Sequence, residues 1–153
     1  MSEEDSRSSL GTVLVTGGCG GLASQILQLF AERGYKQLHS IDLRQPAHCL
    51  SGVEYYSGDL TDSDAMRQLF QQIKPDTVIH TASPKFDAPK HTMYKVNVEG
   101  TKTLIHIAQE SGTQCFVYTS SASVISNAQT DLHNADESYS VLLEETQQPE
   151  FYV

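Results

Sequence analysis

The chain has few of the residues that stabilise secreted proteins or anchor membrane proteins. It has no tryptophan and three cysteines among 153 residues, and an odd number of cysteines without a Cys-x-x-Cys pair argues against a disulfide framework or a zinc site. No apolar run approaches the roughly 20 residues of a membrane-spanning helix. The first nine residues are polar and acidic and lack the apolar centre of a signal peptide. We therefore expect a cytoplasmic protein in a reducing compartment.

Basic residues are missing from the last third of the chain. Residues 103–153 hold seven acids and no Lys or Arg, whereas residues 1–102 hold ten bases and twelve acids, and the net charge is −9. An acidic surface repels the phosphates of nucleic acids and of anionic membranes. Neither is expected as a partner. The length itself is typical of one domain with a hydrophobic core.

An apolar run, Thr12 to Thr16, stops at a cluster of glycines, and a helical pattern begins at once. The spacing Gly17-x-x-Gly20-x-x-Ala23 predicts a strand, a tight turn and a helix whose first N–H groups bind a pyrophosphate. Gly17 allows a turn that a Cβ would forbid, and Gly20 lets the backbone approach the phosphates. Ala23 is small enough for the helix to pack on its strand.

Further apolar runs alternate with amphipathic helical patterns, which predicts an α/β fold with a Rossmann-type, doubly wound parallel sheet. The predicted strands cover 12–16, 37–41, 53–57, 77–82 and 115–119. After the helix that follows the glycines, the predicted helices cover 62–73, with Thr61 as its N-cap, and 92–111. The apolar face of the first helix is predicted to comprise Leu22, Ile26, Leu29 and Phe30.

Acidic residues follow the second and third predicted strands. Asp42 stands 25 residues after Gly17, where a carboxylate accepts hydrogen bonds from an adenosine ribose and repels a 2′-phosphate, which favours NAD over NADP. Arg44 keeps NADP open as the less favoured cofactor, because an arginine there accommodates the 2′-phosphate. Asp59, followed by Leu60, fits either a contact with adenine or a turn before the next helix.

Six short segments occur in one order along the chain: TGGCGGLA (16–23), DLR (42–44), GDL (58–60), HTASP (80–84), NVEGT (97–101) and FVYTSSASV (116–124). Together they resemble the extended short-chain dehydrogenases, and most of all the 3β-hydroxysteroid dehydrogenase branch with its sterol-4α-carboxylate 3-dehydrogenases. The resemblance implies a cofactor site of ten residues: Gly17, Gly20, Gly21, Leu22, Asp42, Arg44, Asp59, Leu60, Ala82 and Asn97. The glycines would hold the pyrophosphate, and Ala82 would line the nicotinamide side.

The resemblance also implies two catalytic residues. Ser121 matches the family serine that hydrogen-bonds the substrate oxygen, and Ser120 is the alternative if the match is shifted by one residue. Tyr152 stands 31 residues after Ser121, the separation expected for the family base in Tyr-x-x-x-Lys. That lysine lowers the tyrosine pKa from its ordinary value of about 10, but its position would lie beyond Val153.

The function implied is NAD-dependent oxidation of a 3β-hydroxyl on a sterol, steroid or terpenoid, with weak or no activity in a chain truncated after the tyrosine. A longer form is expected to associate with the endoplasmic reticulum. Two alternatives stay open: a non-catalytic NAD-binding module, and a carbonyl reductase of the same fold. No metal site is predicted, since the histidines lack ligand spacing and His80 is expected to be packed.

We expect three regions along the chain: a disordered arm over 1–10, the NAD-binding domain over 11–126, and an acidic loop with the truncated start of the tyrosine helix over 127–153. A Rossmann-type sheet that is incomplete at its C-terminal end leaves one edge open. A second copy of the chain or another partner is expected to cover that edge.

Overall fold

Five parallel strands form the central sheet in the computed structural model, which describes residues 10–125, 131, 133–136 and 138–139. The strands are β1 (Val13–Thr16), β2 (Leu38–Asp42), β3 (Val53–Ser57), β4 (Thr77–His80) and β5 (Cys115–Tyr118). Their spatial order is β3-β2-β1-β4-β5. The chain thus starts at the centre, builds one half of the sheet and crosses to build the other. A crevice therefore forms at the carboxyl ends of β1 and β4, where the chain leaves these paired strands in opposite directions.

The helices lie between the strands in chain order. They are α1 (Gly21–Glu32), α2 (Ser63–Ile73), α3 (Lys90–Met93) and α4 (Thr101–Glu110), with a π-helical segment, Tyr94–Gly100, joining α3 to α4. A short 3₁₀ turn, Ala122–Ile125, follows β5. The helix predicted over 92–111 therefore begins two residues earlier and is not regular throughout. None of the described helices is long and apolar enough to span a membrane.

Two hydrophobic cores lie on opposite faces of the sheet, which confirms the doubly wound α/β prediction. Side chains alternate along a strand, so Val13 and Val15 face one core while Leu14 faces the other. The first core packs α1 on the sheet through Ala23 and Leu27. The second packs α2 and α4, and its buried members are Leu14, Ile41, Leu60, Met66, Leu69, Phe70, Ile73, Val78, Leu104, Ile107 and Ala108.

The predicted apolar face of α1 is partly wrong. Ala23 and Leu27 are fully buried, whereas Leu22 is 52% exposed and Leu29 is 44% exposed. Each helical residue turns about 100° from the last, and the buried side is centred on Ala23 and Leu27. Leu22 and Leu29 lie at the margin of that face, where the sheet does not reach.

The start of α2 also differs from the prediction by one residue. Asp62, and not Thr61, is the N-cap, and its side chain accepts a hydrogen bond from the backbone N–H of Ala65 at 3.0 Å. The Thr61 amide instead donates to Asp59 Oδ1 at 2.8 Å. The two acids therefore divide the free N–H groups at this turn between them.

The outer edge of β5 pairs with no strand among the described residues. Val117 is 47% exposed and Tyr118 is 37% exposed, so both faces of this strand present apolar surface. The region predicted as a disordered arm lies outside the described residues, apart from Leu10, whose carbonyl accepts a hydrogen bond from Thr77 Oγ1 at 2.8 Å. Of the acidic region predicted over 127–153, only residues 131, 133–136, 138 and 139 are described.

Candidate nucleotide-binding site

A cavity of about 220 Å³ opens at the carboxyl ends of β1, β2 and β4. Six of the ten residues predicted to bind a cofactor line it: Gly17, Gly20, Asp42, Asp59, Leu60 and Ala82. These residues come from four separate loops, and the parallel sheet brings them to one edge. This is the switch point at which open parallel sheets bind ligands.

The glycine loop, residues 17–20, is a tight turn between β1 and α1. Gly17 has a φ of +79° and donates its N–H to the Ile41 carbonyl at 2.8 Å. The Gly20 amide then donates back to the Gly17 carbonyl at 2.8 Å, which closes the turn. Gly20 and Gly21 are exposed, and a Cβ built on Gly21 would meet no atom within 4 Å. The start of α1 therefore leaves open space beside backbone N–H groups, as a pyrophosphate requires.

The opposite wall of the cavity is the loop after β4. Thr81 Oγ1 donates to the Thr16 carbonyl at 2.7 Å, and the amides of Thr81 and Ala82 both approach Thr16 Oγ1 at 3.2 Å. A Cβ built on Gly17 would lie 2.8 Å from the Ala82 Cα. The last residue of β1 thus holds this wall, and the lack of a side chain at Gly17 lets the two loops meet.

Asp42 joins the glycine loop to the end of β2. Its Oδ2 accepts a hydrogen bond from the Cys19 amide at 3.0 Å, and its Oδ1 accepts a long one from the Arg44 amide at 3.4 Å. A carboxylate offers about four acceptor sites, so Asp42 retains capacity for further donors in the cavity. Partial desolvation and then the Asp42 charge raise the pKa of the Cys19 thiol. The Cys19 thiol therefore stays protonated at neutral pH and adds no negative charge beside the Asp42 carboxylate.

Asp59 and Leu60 form the floor of the cavity on the β3 side. Asp59 is exposed and its Oδ1 accepts from the Thr61 amide, so it makes the turn that the sequence offered as one alternative. Leu60 is 7% exposed and belongs to the second core while also lining the cavity. An apolar wall beside an acceptor fits a purine ring with an exocyclic amino group.

The other four predicted cofactor residues do not line the cavity. Gly21 and Leu22 lie in the exposed first turn of α1, and Arg44 is exposed beyond the end of β2. Asn97 is 4% exposed within the π-helical segment, next to Val96, which does line the cavity. The sequence therefore placed Asn97 near the site, but its side chain is packed inside.

Of the two predicted catalytic residues, only Ser121 is described. It is half-buried and follows β5 at the same edge of the sheet as Ala82, because Tyr118 is in register with His80. Ser120 is exposed. Tyr152 lies outside the described residues, so its position relative to Ser121 stays a prediction.

Several residues that line the cavity were not predicted. Leu43, 69% exposed, directly follows Asp42, and Thr92 and Val96 approach from the segment before α4. The four-residue spacing of Thr92 and Val96 is a helical signal that could have identified them. Gly58, Thr81, Ser83 and Pro84 also line the cavity, each within two positions of a predicted residue.

A family model for the 3-beta hydroxysteroid dehydrogenase/isomerase family matches residues 14–151. The sterol-4-alpha-carboxylate 3-dehydrogenase (decarboxylating) of Saccharomyces cerevisiae is 35% identical over 143 residues, covering 88% of this chain and 41% of the relative. A 3-beta-hydroxysteroid dehydrogenase of Mycolicibacterium neoaurum is 34% identical over 147 residues, covering 90% and 39%. The chain thus spans about two fifths of the length of these curated relatives.

Solved structures of related architecture agree with the fold. The UDP-glucose 4-epimerase of Thermus thermophilus, solved with NAD, has a TM-score of 0.76 at 22% identity, covering 91% of this chain and 47% of that one. An epimerase of Methanothermobacter thermautotrophicus has a TM-score of 0.74 at 25% identity, covering 96% and 46%. These likenesses show a Rossmann-type fold. Since the family model matches nearly the whole chain, this protein belongs to the 3-beta hydroxysteroid dehydrogenase/isomerase family.

Proposed function

We propose that this chain supplies the NAD-binding part of an enzyme that oxidises a 3β-hydroxyl on a sterol, steroid or terpenoid. The observation that carries the proposal is the cavity at the switch point, in which the glycine loop, Asp42, Asp59 and Ala82 converge. The named activities of the curated relatives support the substrate class, since they act on sterols and steroids.

The described residues fit a dinucleotide along the length of the cavity. The open space beside Gly21, next to the exposed Gly20, suits the pyrophosphate, and the unused acceptor sites of Asp42 suit the adenosine ribose hydroxyls. Leu60 and Asp59 suit the adenine ring and its amino group. The wall at Ala82 is small and half-buried, and leaves room for a nicotinamide.

NAD is preferred over NADP in this proposal. The Asp42 carboxylate lies where a 2′-phosphate would approach, and two like charges at close range repel. Arg44 is exposed and does not line the cavity. We therefore do not expect its positive charge to offset that repulsion.

We assign the substrate side to Ser121 and Tyr152. The Ser121 hydroxyl hydrogen-bonds the substrate oxygen, and Tyr152 accepts the proton of the substrate hydroxyl. A tyrosine with an ordinary pKa of about 10 is a poor base at neutral pH, so this role requires a positive charge close to the phenol. NAD supplies the hydride acceptor when it is bound.

The open edge of β5, with Val117 and Tyr118 on its two faces, is the proposed contact surface of the chain. Val117 and Tyr118 would bury apolar area if a second copy of the chain packed there, and burial of such area is favourable.

A titration of the purified chain with NAD⁺ and NADP⁺, followed by an oxidation assay with 3β-hydroxysterols, tests the proposal. We expect NAD⁺ to bind more tightly than NADP⁺, and any NADH formation to be weak and to depend on Ser121. If neither NAD⁺ nor NADP⁺ binds, the proposal is overturned. Binding without any oxidation would restrict it to the nucleotide-binding part.

A further inference from the structure

A buried histidine links the two walls of the cavity. His80, the last residue of β4, is 0% exposed, and its ring stacks on Tyr118 with the centroids 5.4 Å apart. Its Nδ1 lies 2.7 Å from Thr16 Oγ1, and its Nε2 lies 2.9 Å from Thr101 Oγ1. Thr16 precedes the glycine loop, and Thr101 begins α4, so a single imidazole connects β1, β4 and the helix above them.

The hydrogen bonds around Thr16 fix the tautomer of His80. The Thr16 hydroxyl has one proton to donate and two lone pairs. The amides of Thr81 and Ala82 can only donate, and both approach this oxygen, so they use its lone pairs. The hydroxyl proton is then directed to His80 Nδ1. Neutral histidine with Nδ1 as acceptor carries its proton on Nε2, which donates to Thr101 Oγ1.

This arrangement has a consequence for the wall of the cavity. If Nδ1 could not accept, the Thr16 hydroxyl would have to turn to another acceptor, and its lone pairs would no longer face the Thr81 and Ala82 amides. Those amides begin the loop that lines the cavity opposite the glycine loop. Burial lowers the pKa of His80 to about 4, so the neutral, accepting form is present at neutral pH.

We infer that His80 is a positioning residue for the cofactor: by accepting a hydrogen bond from the Thr16 hydroxyl through Nδ1, it holds the Thr81–Ala82 loop at the distance from Gly17 that a dinucleotide requires. The inference rests on the proposed nucleotide-binding function. The position of the Thr81–Ala82 loop then depends on one ring nitrogen, Nδ1, and not only on the packing of a buried ring.

Two substitutions distinguish the nitrogens. In His80→Asn the amide oxygen can occupy the place of Nδ1, whereas in His80→Gln the longer side chain reaches the place of Nε2. Two readouts apply to both variants: hydrogen exchange of the Thr81 and Ala82 amides without nucleotide, and the Kd for NAD⁺. We expect the exchange rates and the Kd of His80→Asn to stay near the wild-type values. In His80→Gln, loss of the bond should speed exchange of the two amides and raise the Kd, each by about tenfold.

Substitutions of the partners provide a second test if the His80 variants fail to fold. Thr16→Ser keeps the hydroxyl, so the Thr81 and Ala82 amides should still exchange slowly and NAD⁺ should bind as in the wild type. Thr16→Val lacks the hydroxyl and should show the same faster exchange and higher Kd as His80→Gln. Thr101→Val breaks only the Nε2 bond and should leave exchange at Thr81 and Ala82 unchanged. Equal behaviour of His80→Asn and His80→Gln, or of Thr16→Ser and Thr16→Val, would overturn the inference. If the wild-type chain binds no NAD⁺, the proposed function fails, but the exchange rates still decide the role of His80.

Discussion

Gly17 and Ala82 are in such close contact that a Cβ on Gly17 would lie 2.8 Å from the Ala82 Cα and 3.0 Å from its N. The two residues are far apart in sequence and belong to opposite walls of the cavity. Any side chain at Gly17 must therefore separate the walls or displace the loop after β4.

Replacing Gly17 by alanine should weaken NAD⁺ binding by about tenfold or more, because the added methyl group moves the Ala82 wall. Gly34→Ala is the matched control. Gly34 has a φ of +82°, close to the +79° of Gly17, but a Cβ there would meet no atom within 4 Å. Both variants carry the same backbone strain, so titration with NAD⁺ isolates the contact with Ala82. Equal affinities in the two variants would contradict this account.

Asp42→Asn should reduce the preference for NAD⁺ over NADP⁺ by about tenfold. The asparagine oxygen can still accept the Cys19 amide, so the glycine loop keeps its connection to β2. The charge that repels a 2′-phosphate is lost, together with the long hydrogen bond from the Arg44 amide to Oδ1. The measurement is the ratio of the two Kd values in wild type and variant. An unchanged ratio would place the 2′-phosphate away from Asp42.

His80 should make the stability of the chain depend on pH. Its pKa is about 4 in the folded chain and 6.5 ordinarily, so the unfolded chain binds more protons between these values, and stability rises with pH across this range. The stabilisation is complete above about pH 6.5 and is lost as the pH falls toward about 4. Thr16 and Thr101 do not titrate, and burial raises the pKa of Tyr118, which stays neutral throughout.

Urea unfolding near pH 7 and near pH 5 tests this prediction with His80→Asn as the reference. The wild type should lose about 2 kcal/mol more than the variant between the two conditions. Burial also lowers the pKa of His39, but His39 is present in both proteins and its contribution cancels. Parallel changes in the free energy of unfolding would show that His80 does not titrate as the structure requires.

Asp62→Ala should destabilise the chain by about 1 kcal/mol, since it removes the side-chain bond to the Ala65 amide at the start of α2. Thr61→Ala is the natural control, because only the backbone amide of Thr61 takes part in this turn. Denaturant midpoints of the two variants measure the difference. A larger loss in Thr61→Ala would restore the N-cap that the sequence predicted.

The purified chain should self-associate through β5, and Val117→Lys should shift it toward the monomer. A lysine on this face adds a charge that must be desolvated before a second copy can pack against it. Leu29→Lys replaces a similarly exposed apolar side chain on α1, far from the open edge, and should not change the association. Sedimentation velocity over a range of concentrations distinguishes these outcomes. A monomeric wild type would reject this contact.

The sequence by itself determined the strands, the glycine turn and the position of Asp42, because each depends on neighbouring residues. Alternating apolar runs, glycine at a positive φ and an acid at a strand end are local patterns, and the parallel sheet then brings strand ends to one edge. For this reason six predicted cofactor residues do line one cavity.

Only the tertiary structure decided which face of α1 is buried, which acid caps α2 and what His80 does. Leu22 and Leu29 are apolar, but the sheet covers Ala23 and Leu27 instead. The link between His80 and Thr16 joins residues 64 positions apart, and its meaning depends on the two amides that also reach Thr16. Such contacts arise from packing between strands and helices, so no local pattern in the sequence encodes them.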